Sequence, residues 1–318
     1  MKGKCRISET TIFVIGLFIM AHGGNRSLKE ILTEADSCFK ARQFDLAMKA
    51  YQDLLSQAKS TNDTSFQIEA LSQMARCHLT QNQKEEAESW LAQAEEIASP
   101  SFPSGWARYL GVRGRWEWRN DDLKRATTTF KSMFDFCNEH GLADRANDAS
   151  LMIGITGSDE ERVEWGLKGI EAAEKSGSTS SLGPLWNNLA VTYSELNDYE
   201  KTHDAFVNAR EYHWRYGNET NKLYADYQIG WALRMKGDYD QALTWLRPSL
   251  AWGERLENYD VMAQASQDIG EVMIAKGAGS VGLEYLRRAE EYFRKAGYEQ
   301  SGPDILTKLT ARIAELSR

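Results

Sequence analysis

Clusters of charged and aromatic side chains are what this sequence offers for chemistry. Arg108, Arg115 and Arg119 fall within twelve residues, and Arg76 lies upstream of them. Guanidinium groups bind carboxylates through paired, parallel hydrogen bonds, so this stretch of an acidic chain suits an acidic or carboxylate-bearing ligand. The same arginines also fit a solvated helix face with local ion pairs. Tyr224, Tyr227 and Trp231 are spaced i, i+3 and i+7, which puts them on one helix face. Aromatics so placed either anchor a protein partner or pack against the next element.

Patterns for catalysis are missing. His22, His78, His140, His203 and His213 have no metal-ligand spacing such as HExxH, and no P-loop, dinucleotide fingerprint or GxSxG elbow occurs. Acidic pairs are common, but on an acidic helical surface they are solvated faces. Cys38, Cys77 and Cys137 form no CxxC pair, and Cys38 and Cys77 fall in amphipathic patterns that predict buried thiols. The expectation is a protein without enzymatic activity, cofactor or metal. A net charge of −8 argues against a general nucleic-acid binder, which needs a basic surface to displace counterions from phosphates.

Met1-Lys2-Gly3-Lys4-Cys5-Arg6 precedes an apolar run from Ile12 to Ala21, followed by His22-Gly23-Gly24. The run is too short to span a bilayer of ~30 Å, so no stable membrane span is expected. It matches the hydrophobic core of a secretory signal over residues 1–23, with cleavage after Gly23, and predicts export to the periplasm or beyond. An uncleaved anchor, or a cytoplasmic protein starting at Met20, are the alternatives.

The elements that must position these side chains are helices. Five prolines in 318 residues, with abundant Ala, Leu, Glu and Gln, favour helix over sheet. Two columns of small residues recur twelve positions apart. The first is Ala35, Ala75, Gly114, Gly154, Ala190, Gly230 and Gly270; the second is Ala47, Ala87, Ala126, Gly166, Thr202, Ala242 and Gly282. Short side chains are what let the two helices of a hairpin approach closely. Four residues past the second column stands a large apolar one: Tyr51, Leu91, Phe130, Ile170, Phe206, Leu246 and Leu286. Repeat four is interrupted by Gly157 and Ser158, and Ser158 with Glu161 makes a capping box that would start its second helix early. Arg113 falls where an apolar residue belongs. One hairpin burying four or five large side chains gains roughly 10 kcal/mol, less than the ~1 kcal/mol or more per residue needed to order its backbone. The units must therefore stack.

The pattern resembles the tetratricopeptide repeat, in a longer variant of about 40 residues similar to kinesin light chains and bacterial regulatory solenoids. The resemblance spans residues 27–298. It implies an all-α, right-handed solenoid of about seven helix-turn-helix repeats, in which the first helix of each repeat (helix A) lines a concave groove that holds a peptide or partner protein. Residues 301–318, with Pro303 first and Ile305, Leu309, Ile313 and Leu316 as a stripe, predict a capping helix. Carried onto this sequence, the groove positions are Arg76, Arg108, Val112, Arg115, Trp118 and Arg119, and then Asn187, Asn188, Tyr224, Tyr227, Gln228, Trp231 and Arg234. The paired asparagines resemble those that hold an extended peptide backbone in related solenoids. A scaffold or adaptor is the implied role; a regulatory sensor acting in trans, or an architectural subunit, are the other two.

Overall fold

A computed structural model of the chain describes residues 26–317. The segment expected to be an export signal lies outside them. Among the described residues there are sixteen α-helices, one short 3-10 turn and no strand. They pair in order as seven A/B hairpins: α1 (Leu28–Lys40) with α2 (Phe44–Ser60), α3 (Thr64–Thr80) with α4 (Lys84–Ile97), and α5 (Pro103–Arg119) with α6 (Leu123–Glu139). Then come α7 (Ala143–Thr156) with α8 (Asp159–Ser176), α9 (Leu182–Glu195) with α10 (Tyr199–Tyr216), α11 (Glu219–Lys236) with α12 (Tyr239–Leu256), and α13 (Tyr259–Ala275) with α14 (Gly279–Lys295). The single turn α15 (Tyr298–Ser301) and the helix α16 (Pro303–Leu316) follow. The chain divides into two compact units, one ending at Val112 and one beginning at Arg113, within α5. No helix of the described residues is long and apolar enough to cross a membrane.

A left-handed residue makes the turn inside six of the hairpins: Arg42, Asn82, Asp121, Asn197, Gly237 and Gly277 all have positive φ. Asn, Asp and Gly tolerate that conformation best. It closes the end of helix A, as where the Asp238 amide donates to the Leu233 carbonyl at 2.9 Å. Five residues later, always as the fourth residue of helix B, comes the small second column. The close approach is real: a Cβ on Gly114 would stand 2.7 Å from the Phe130 ring, and on Gly230 and Gly270 it would stand 2.8 Å from Leu246 and Leu286. Each glycine faces the large apolar residue of its own helix B. Repeat three is in register, and Arg113 is accommodated by pairing with Glu117 at 3.2 Å and lying over the Trp116 ring.

Repeat four departs from the expected columns. The Ser158 capping box forms, with Ser158 Oγ accepting from the Glu161 amide, and α8 starts at Asp159 without a left-handed turn. Its fourth residue is therefore Arg162, not Gly166. Ser150 replaces Gly154 at the close contact: it donates to the Trp165 carbonyl at 2.7 Å and fills the space beside Gly169. A Cβ on Gly154 would meet nothing nearer than Asn188, at 3.6 Å. Arg162 fits the crowded column by donating to the Gly154 carbonyl at 3.0 Å and pairing with Glu195. A capping box and a left-handed turn are alternative ways to start helix B, and here the box sets the register one turn early.

Cys77 and Cys137 are buried, and burial pushes their thiols up to about 12 and about 11. Cys38 is only partly covered. α12 continues as one helix through Pro248, whose ring is exposed. α16 rests on the last hairpin through Leu306 and Leu309, which pack with Leu286, Ala289 and Phe293.

Candidate functional site

The charged residues singled out in the sequence fall in both units. In the first, Arg108 is mostly buried: its Nε donates to Glu69 at 2.7 Å and a terminal nitrogen reaches Asp36 at 3.4 Å. Asp36 also accepts from the Tyr51 hydroxyl and from Gln73 Nε2. Burial works against the Arg108 charge, and the two carboxylates outweigh it, raising its pKa above the ordinary guanidinium value. An acidic ligand would have to displace carboxylates that are already in place. Arg76 lies over the Phe39 ring, 5.0 Å from its centroid. Val112 is buried. In the second unit Arg115 pairs with Asp148 at 2.6 Å, and exposed Arg119 lies over the half-buried Trp118 at 4.9 Å.

The A helices of repeats five to seven carry a different arrangement. Asn187, Asn188, Tyr224, Gln228, Trp231 and Arg234 are all half-exposed. Trp231 stands edge-on to Phe206, with centroids 6.2 Å apart, so its ring is held by the core it borders. Tyr227 belongs to that core; its hydroxyl donates to Asp268 at 2.8 Å, and burial raises its pKa well above the ordinary phenol value. Asp268 is buried as well. Its pKa is raised by burial, against the pull of Arg234, whose Nε lies 2.8 Å away. Arg234 is thus paired from behind with one buried carboxylate. Among the described residues no other carboxylate comes within ion-pair distance of it, and its side chain keeps 23% of its exposure.

Nearer the start of α13, Asp260 accepts from three donors: the hydroxyls of Tyr224 and Tyr298, and Gln264 Nε2 at 2.8 Å. Burial and then this hydrogen bond push the Tyr298 phenol up to about 12. Among the described residues no group of His, Cys, Asp and Glu is placed to hold a metal ion. The face presents aromatic edges, amides that both donate and accept, and one partly exposed guanidinium, groups suited to binding.

No protein-family model matches the sequence, and no curated protein does. Solved structures do match. A signal-transduction ATPase of the STAND class with a tetratricopeptide repeat sensor, from Pyrococcus horikoshii, superposes over 89% of this chain at 17% identity with a TM-score of 0.73. This chain spans 44% of that protein's length. Aspartyl phosphate phosphatase F from Bacillus subtilis matches 92% of this chain and 85% of its own at 16% identity, TM-score 0.55. The apo form of RapI matches 85% and 98% at 14% identity, TM-score 0.54. The fold is that of a tetratricopeptide-like repeat protein.

In such repeats, equivalent columns of successive A helices are neighbours, and this explains what the sequence reading missed. It collected arginines, asparagines and aromatics from the groove columns but not the acids standing in them. Glu69 and Arg108 each lie six residues before a small residue, Ala75 and Gly114, so they meet across repeats. Asp36 and Glu271 each directly follow one, as Arg76, Arg115 and Trp231 do. Scanning those same columns for acids would have found the partners of the arginines. Asp268 carries a weaker signal, standing two residues before Gly270 beside Ser266 and Gln267.

Proposed function

We propose that this tetratricopeptide-like protein is a non-catalytic interaction module, and that the A-helix face of repeats five to seven holds an extended segment of a partner protein or peptide. A carboxylate of that segment is received by Arg234. Trp231 and Tyr224 anchor side chains, and Asn187, Asn188 and Gln228 bond to the partner's backbone. The observation carrying this reading is the contrast in arginine use: Arg108 and Arg115 are committed to Glu69, Asp36 and Asp148, whereas among the described residues Arg234 is held by Asp268 alone. A buried acid behind a partly exposed guanidinium orients it for an incoming carboxylate without neutralising the bidentate edge. The acidic chain disfavours nucleic acid as the partner.

Affinity enrichment with quantitative mass spectrometry tests this. A partner recovered on the wild type is expected to fall at least tenfold on Arg234→Glu and on Trp231→Ala, both shown folded by circular dichroism. Undiminished recovery on both rejects the face as the site. A regulatory sensor acting in trans would use the same face, but its occupancy would have to move a second surface. An architectural subunit would instead lose assembly, not a peptide, when the face is altered. Export is a separate proposal resting on the N-terminal sequence, and N-terminal sequencing after cell fractionation decides it. An intact Met1 on a cytoplasmic protein overturns it.

A further inference from the structure

We infer that Asp260 couples the proposed peptide face to the C-terminal segment, so that a ligand taking Tyr224 from Asp260, or Glu271 from Arg312, loosens α15 and α16. The inference rests on the face proposed above for its ligand, but the coupling itself needs no ligand to be measured. One carboxylate, the second residue of α13, is shared: one oxygen accepts from Tyr224 of the face and from Gln264, and the other accepts from Tyr298 of α15. A second tie runs in parallel. Arg312 of α16 reaches Glu271 of α13 at 3.3 Å through two nitrogens, and Glu271 stands in the column that Trp231 occupies one repeat earlier. The C-terminal segment therefore grips two acidic groups on the A helix of repeat seven that border the face.

The segment is jointed where these grips act. Gly297, with φ of 86°, separates α14 from α15, and Gly302 separates the single turn of α15 from α16, which restarts on Pro303. The Tyr298 ring lies against Phe293, with centroids 4.7 Å apart, and closely over Gly302, where a Cβ would come within 2.8 Å of it. Tyr298 thus joins the hinge to Asp260. Tyr224 and Tyr298 pin the same carboxylate through its two oxygens, so each hydroxyl orients the acceptor that the other uses. Removing either frees the group to turn and weakens the second bond, which is a positive coupling between face and segment. A ligand that draws the Tyr224 hydroxyl away from Asp260 acts as such a removal.

Hydrogen exchange of the full chain, read by mass spectrometry, tests the coupling in both directions. Tyr224→Phe is expected to speed exchange of the α16 amides, and Tyr298→Phe that of the α11 amides, each by roughly two- to tenfold, the span of one hydrogen bond. Leu309→Ala, which removes a buried contact of α16, sets the scale for a local loosening. If Tyr224→Phe leaves α16 at its wild-type rate, or Tyr298→Phe leaves α11 at its own, the two regions are independent and the inference falls. The peptide face could still bind in that case, because the enrichment experiment above does not use the C-terminal segment.

Discussion

Arg108 in the first unit and Arg234 in the second both stand on A helices, yet only one is available. Arg108, 16% exposed, answers two carboxylates from two other A helices, while Arg234, 23% exposed, answers one among the described residues. The difference comes from the neighbouring repeat. Glu69 occupies the column of Arg108 one repeat earlier, so the charge is neutralised within the stack; Arg234 meets Asp268 from another column, and only through Nε. An arginine in a repeat protein is a ligand group only when its column neighbours leave it so.

The most severe way to break the contrast is Arg108→Glu. It sets a third carboxylate against Glu69 and Asp36, and about 3–5 kcal/mol of stability should be lost in urea denaturation. Arg234→Glu should cost only about 1–3 kcal/mol, because its side chain can turn to solvent and it meets a single carboxylate among the described residues. Equal losses would mean that the two arginines do the same job. Two glycines of the second unit give a smaller separation. Gly230→Ala forces a Cβ against Leu246 and should cost about 1–3 kcal/mol, whereas Gly154→Ala meets only ordinary contact and should be neutral or stabilising by up to about 1 kcal/mol. The smallest effect concerns His213, which lies against Gly183 and whose pKa burial lowers below its usual 6.5. The unfolded chain then binds the proton more readily than the folded one. The contribution of neutral His213 is complete above pH 6.5 and is lost as pH falls through its folded value, so wild type should lose more stability than His213→Gln between pH 7 and 5.

Most of the fold was legible because it is written in steric terms. Gly114, Gly230 and Gly270 stand sixteen residues before Phe130, Leu246 and Leu286, and each pair touches. Repeat four misled because two valid helix starts compete there, and small residues at Gly154 and Gly166 mimic a column they do not occupy. The candidate site was only half legible. Trp231, Tyr224 and Arg234 could be picked from spacing and resemblance, but burial of Tyr227 depends on Asp268 forty-one residues on, and the commitment of Arg108 depends on Asp36 and Glu69. Such pairings are visible only once successive A helices are laid side by side.

The left-handed turns have a use for engineering. Asn197 and Gly237 hold the same backbone conformation at the same point of their hairpins, so residues 198–237 form a cassette with matching ends. A second copy spliced in after Gly237 would add one hairpin without strain at either seam and lengthen the protein by a whole unit. The same graft cut at Gly157, whose backbone is extended, would join unlike ends.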